Sequence, residues 1–185
     1  MRKLLVVLGV CLLTTTSIMA EAPRLGIGVS GGSEIPIAQD DQSAGSIFEF
    51  RAQLRVLPII QLEPKLWITK YGSPDFAEFD FDIDGSKITG FGLDATLGNN
   101  MGESGVRPFF VAGLGFYKAT NDDLGAMDDT GSRFGGSGGV GLAIGLTPNV
   151  AFDVRSKLHV TTVDGGGSRK ALAITGGLNY CFGGK

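Results

Sequence analysis

Cysteine, histidine and tryptophan are almost missing from this chain: two Cys, one His and one Trp in 185 residues. Cys11 lies in an N-terminal apolar run, which leaves Cys181 alone in the rest of the chain and excludes an internal disulfide framework. Cys181 also lacks the companions that a thiol ligand or nucleophile needs, and it reads as buried filler. His159 has no second imidazole to share a metal with. No apolar run reaches the roughly 20 residues of a spanning helix, and helix-period patterning is absent. Acids outnumber bases, 19 to 16, which argues against a nucleic-acid partner.

The N-terminus carries an export pattern. Arg2 and Lys3 precede 4-LLVVLGVCLL-13, and 18-IMA-20 ends in a small residue before Glu21. A basic start, a short apolar core and a small residue at the break predict a signal peptide over 1–20. No lipid-attachment box surrounds Cys11. Cleavage would leave one domain, 21–185, with 14 bases against 19 acids, a net charge of −5.

What the chain has is glycine (30 residues), phenylalanine (12 residues) and period-two alternation. In 150-VAFDVRSKLHV-160, Val150, Phe152, Val154, Leu158 and Val160 oppose Asp153, Arg155, Lys157 and His159. Such alternation marks a strand between two different environments. The same holds for 46-SIFEFRAQLRV-56, 59-IIQLEPKLWITKY-71, 88-ITGFGLDATLG-98, 134-FGGSGGVGLAIGL-146 and 171-ALAITGGLNYCF-182. The stretches 24-RLGIGVSGG-32 and 107-RPFFVAGLGFYK-118 complete eight strands, the phase of the latter left open by adjacent Phe109 and Phe110. Each is long enough to cross a bilayer when tilted, which takes about 9–11 residues. Pro64 removes a ladder donor within the third strand, where a bulge is expected.

The joins alternate in length. Leu57-Pro58, 99-NNMGESGV-106 and 147-TPN-149 are the shorter set. The segments 34-EIPIAQDDQSAG-45, 72-GSPDFAEFDFDIDG-85, 119-ATNDDLGAMDDTGS-132 and 163-VDGGGSR-169 are mostly longer and more polar. Short turns at one end and long loops at the other characterise bacterial transmembrane barrels. The expected fold is all-β: an eight-stranded antiparallel up-and-down transmembrane β-barrel with both termini periplasmic.

If the apolar faces meet lipid, the charged faces point inward, where an eight-stranded barrel is just wide enough for side chains to fill it. The inward set then holds Glu49, Arg51, Arg55, Glu63, Lys65, Asp94, Asp153, Arg155 and Lys157, with His159 near the top. Nearly balanced signs suggest a paired network, because an unpaired buried charge costs several kcal/mol or more. Trp67 falls on the same inward phase, and glycine-rich inner faces such as that of the sixth strand leave room for long side chains.

Taken together, the leader, the eight strands, 107-RPFFVAGLGFYK-118, the Gly-rich sixth strand leading into 150-VAFDVRSKL-158 and the closing 178-LNYCF-182 resemble the small outer-membrane β-barrel family. That group contains the OmpA-like transmembrane domain and the opacity-type proteins. The resemblance implies residence in the outer membrane of a Gram-negative-type bacterium, contact with its lipid and lipopolysaccharide, and no cofactor. It also implies that the barrel-assembly machinery reads the terminal aromatics Tyr180 and Phe182, although Gly183, Gly184 and Lys185 follow them here. No peptidoglycan-binding segment follows the last strand, so a barrel alone is expected.

One stretch invites a metal reading. In 79-FDFDIDGSK-87, Asp80, Asp82, Asp84 and Gly85 match the first half of an EF-hand loop. Phe91 stands where the bidentate Glu belongs and no helices flank the loop, so no metal site is assigned. Asp84-Gly85 is also a two-residue hairpin signal, which would pair Phe79–Ile83 with Ser86–Gly90. Asp122, Asp123, Asp128 and Asp129 read as an exposed acidic loop. His159 could serve a lipid-modifying barrel enzyme only with a serine beside it, and Ser156 points to the opposite face. The predicted role is structural or surface contact through the long loops, without catalysis. The alternatives are a small-molecule conduit or ligand-binding barrel of the OmpW kind, a lipid-modifying enzyme, and a soluble periplasmic barrel with its faces reversed.

Overall fold

The computed structural model describes residues 25–37, 43–71, 87–98, 105–120, 132–163 and 167–182. They form eight strands: β1 (Leu25–Ile37), β2 (Gly45–Leu57), β3 (Ile60–Tyr71), β4 (Lys87–Leu97), β5 (Gly105–Thr120), β6 (Arg133–Gly145), β7 (Val150–Val163) and β8 (Gly167–Phe182). Each pairs antiparallel with its sequence neighbours, and β8 returns to β1, closing the barrel. Closure leaves no sheet edge, which is what permits strands to cross a bilayer.

The alternation in sequence becomes an inside-out distribution. Phe48, Phe50, Leu66, Phe91, Phe110, Leu114, Leu142 and Leu178 are exposed on the outer wall, while Glu49, Arg51, Glu63, Asp94, Arg155 and Lys157 are buried within. The large apolar side chains on the outside rule out the soluble barrel with reversed faces. In water so wide an apolar belt would be an aggregation surface; in lipid it is the favourable state.

The adjacent phenylalanines of β5 separate cleanly. Phe109 is 2% exposed and Phe110 is 66% exposed. Opposite Phe109 lies Gly141 of β6, where an added Cβ would fall inside the Phe109 ring. The ring therefore turns inward because the neighbouring strand has vacated the space.

Three details differ from the sequence expectation. Pro64 causes no bulge: it pairs with Leu93 in an unbroken β3–β4 register, and the shift in the β2–β3 ladder falls between Arg55 and Leu57, at the turn. The 34–45 join is shorter than its composition suggests, since β1 continues to Ile37 along β8. Past Glu34 this strand has no β2 partner, so Pro36 sits where one side of the ladder is open, a place that tolerates proline. The 163–169 join also tightens, with Val163 already opposite Gly167.

The second arm of the expected 79–90 hairpin is held by other strands. Lys87, Thr89 and Gly90 are already held on both sides, by β3 (Lys70, Ile68, Trp67) and by β5 (Thr120, Lys118, Tyr117). Phe79–Ser86, with Asp80, Asp82 and Asp84, lie outside the described residues, as do Asp122, Asp123, Asp128 and Asp129.

Candidate functional site

Inward-facing side chains fill the lumen in layers. Nearest the short turns, Phe109, Val111 and Ala143 form a small apolar floor. The Arg155 guanidinium lies 5.1 Å above the Phe109 ring centroid. Arg155 donates to both carboxylate oxygens of Glu63, at 2.5 and 3.1 Å, and to Asp153 at 2.8 Å. Arg51 donates to Asp153 at 2.8 Å, to Ser30 at 2.9 Å and to Asn179 at 2.9 Å. Gln53 and Gln61 donate to Asn179 and Glu63 at the edge of this layer.

The next layer is built on lysine. Lys157 Nζ donates to Glu49 at 2.5 Å and lies 3.6 Å from Asp94. Lys65 Nζ stands 2.9 Å from Asp94, 4.0 Å from Glu49 and 4.9 Å from the centroid of the Trp67 ring. Above this, Trp67 packs edge-on against Tyr117, centroids 4.9 Å apart, with Ile47 and Ala173 beside them. Gly90 and Gly115 leave the space that the indole fills. His159 Nδ1 lies 3.2 Å from Glu34, whose other oxygen accepts from Thr69.

Nine of the ten predicted interior residues therefore meet in the lumen, each at most 5% exposed: Glu49, Arg51, Glu63, Lys65, Asp94, Asp153, Arg155, Lys157 and His159. The tenth, Arg55, is half-buried at the short-turn rim beside the β2 register shift, and makes no ion pair with a described residue. Glu34, expected within the 34–45 join, joins the buried acids in its stead. A visible signal was its parity with Ser30, two steps of two upstream on the same strand. With Glu34, the fully buried charges among the described residues are five acids against Arg51, Lys65, Arg155 and Lys157, with His159 facing the fifth acid.

Among the described residues no hydroxyl hydrogen-bonds to His159; Ser137, its cross-strand partner on β6, donates to Asp94 instead, at 3.4 Å. Ser156 sits on the outer phase of β7 opposite Val140, while His159 points inward. Among the described residues, no cluster of His, Cys, Asp and Glu could hold a metal ion. Cys181 is buried at the foot of β8, where the peptide N–H donates to the Asn149 carbonyl and its own carbonyl accepts from Asn149 Nδ2.

Solved structures that share this fold have little sequence in common with it. Neisserial surface protein A matches with a TM-score of 0.63 at 17% identity, covering 86% of this chain and 99% of its own. The N-terminal β-barrel domain of Pseudomonas aeruginosa OprF gives 0.54 at 16%, covering 87% and 100%. Ail, the attachment invasion locus protein of Yersinia pestis, solved in complex with the heparin analogue sucrose octasulfate, gives 0.54 at 15%, covering 88% and 100%. No match was found among curated proteins. A family model described as the outer membrane protein beta-barrel domain matches residues 4–182. The inside-out closed barrel and this match together mean that the chain belongs to the outer-membrane β-barrel family and resides in the outer membrane.

Proposed function

We propose that this protein is a non-enzymatic wall element of the outer membrane, closed to solutes by its own side chains and presenting acidic loops outside. The carrying observation is the stacked lumen: an apolar floor, two ion-paired layers and an aromatic cap. Breaking such a network by removing one partner costs about 3–5 kcal/mol, so the side chains do not step aside for a passing solute. Planar-bilayer recording of the purified barrel is expected to show no steady conductance; steady, sizeable conductance overturns the reading.

The segments between strands at the long-loop end, 38–44, 72–86, 121–132 and 164–166, contain two, five, four and one acidic residues and no basic one. Ail was crystallised with a polysulfated ligand; loops of this charge would repel such a polyanion and suit a cationic or cation-bridged partner. Residues 1–20 act as the export signal, so the mature protein starts at Glu21. Tyr180 and Phe182, edge-to-face at 5.2 Å on the outer wall, serve as the terminal aromatics for assembly.

A further inference from the structure

Charge on the outer wall is confined to one end and one sign. Among the described strand residues, Lys70, Lys87, Lys118 and Lys170 alone are charged and on the outward phase, and all four lie near the long loops. Three of them cluster. Lys70 of β3 and Lys87 of β4 are direct cross-strand partners, and Lys118 of β5 pairs with Thr89, one outward position below Lys87. Like charges directly opposite each other destabilise a sheet, and none of the three makes an ion pair with a described residue.

Immediately below is an aromatic ledge. Phe91, Phe116 and Phe134 are register partners across β4, β5 and β6. Their rings contact one another at 5.2 and 5.7 Å, exposed to the membrane. Below the ledge, a groove of about 710 Å³ runs along the wall, floored by Ala95, Ala112, Gly136 and Gly138 and flanked by Leu93 and Leu158. Neither floor glycine is needed by the backbone. An added Cβ at Gly138 would meet nothing within 4 Å, one at Gly136 would make ordinary contact, and neither has positive φ. Strand-interior glycine is unfavourable without such a need, so the groove itself is the feature the two glycines create.

We propose that the β3–β6 face is a docking site for lipopolysaccharide of the surrounding leaflet. Lys70, Lys87 and Lys118 engage its phosphates, the phenylalanine ledge seats the sugar–acyl junction, and one acyl chain lies in the groove. The dimensions agree: Lys118 and Ala112 are six residues apart on β5, roughly 20 Å at about 3.3 Å per residue, the reach from a headgroup into the bilayer core. Phosphate is the matching chemistry because the patch is all ammonium, and it faces lipid, not the aqueous exterior. The proposal rests on the long joins lying outside the cell but is independent of whether the lumen conducts.

The test uses the full barrel in phosphatidylcholine nanodiscs doped with lipopolysaccharide or with the same lipid enzymatically dephosphorylated, co-bound lipid being counted by native mass spectrometry. Heat-modifiable gel mobility first confirms that each variant is folded. The wild type is expected to retain phosphorylated lipid, and K70Q/K87Q/K118Q to lose affinity on the order of a hundredfold, since each lysine near an anionic surface contributes about tenfold or less. The corresponding triple arginine variant should retain the lipid, and Gly138→Leu should weaken it by filling the groove. Equal retention by the triple glutamine variant overturns the site, as does equal binding of dephosphorylated lipid by the wild type. An equal loss in Lys170→Gln, on the remote β8, would also overturn it by reducing the effect to bulk charge.

Discussion

Arg155→Met isolates the central ion-pair layer. The guanidinium is enclosed between Glu63 and Asp153, within 2.5–3.1 Å of each, and its removal leaves Arg51 as the nearest cation, 2.8 Å from Asp153 and 3.9 Å from Glu63. Two unit charges about 4 Å apart attract by about 4 kcal/mol at an effective dielectric of 20. Arg155 faces two such acids, and part of that attraction is offset by its own dehydration. The net expected loss is about 3–5 kcal/mol, the usual range when one partner of a buried pair is deleted. Methionine keeps the apolar stem over Phe109, so the loss reports charge and hydrogen bonding more than packing. The companion E63Q/R155M variant removes the orphaned carboxylate along with the cation and should recover at least half of the deficit. Urea titration of the reconstituted barrel is the assay, with Trp67 as reporter; the sole tryptophan, it is 2% exposed in the cap above the network. An R155M barrel within 1 kcal/mol of wild type would refute the reasoning (about a fivefold change in the folding constant), and so would a double variant no more stable than the single one.

Glycine substitutions should depend on the face they enter: Gly141→Leu, beneath the Phe109 ring, should abolish heat-modifiable mobility, whereas Gly138→Leu on the outer wall should fold normally. A lysine in place of Val140, exposed on the lipid side midway along β6, should cost about 2–4 kcal/mol in bilayer unfolding assays. Phe182→Ala is expected to slow accumulation of folded barrel in cells while leaving the unfolding midpoint of the purified protein nearly unchanged; pulse-chase labelling with gel mobility separates the two effects. Calcium should not change the thermal midpoint of the wild type relative to D80N/D82N/D84N, and a calcium-dependent gap between them would revive the metal reading of that loop.

Strand positions and faces were legible because a barrel in lipid enforces parity strictly: a one-residue slip would put every buried charge into hydrocarbon. That is why Glu49, Arg51, Glu63, Asp94 and Lys157 could be placed from alternation alone. What parity cannot give is the position of a residue near a strand end, and both misplaced charges lie there. Arg55 keeps the inward phase but reaches the rim, and Glu34 was hidden by Pro36 two residues on. The orientation of Phe109 depended on a residue in another strand, Gly141, so it became readable only once register was known. A two-residue signal such as Asp84-Gly85 carries no information on which strands flank Lys87–Gly90, and both sides of that stretch are taken by β3 and β5.

The ion pairs of the lumen also bear on how the barrel is made. Arg51 meets Asp153 across 102 positions of sequence, Arg155 meets Glu63 across 92, and Lys157 meets Glu49 across 108. None of these partners lies on adjacent strands, so extending the sheet one hairpin at a time brings none of them together. They meet when the curved sheet rolls up and β8 reaches β1. Up to that moment an open sheet has only its same-strand and neighbouring-strand pairs, such as Arg155–Asp153 and Lys65–Asp94, and every mis-registered closure would leave the cross-lumen partners Glu49, Glu63 and Lys157 stranded. Closure is thereby made an all-or-none event, in which the same contacts that fill the finished barrel act as the latch that recognises a correct seam.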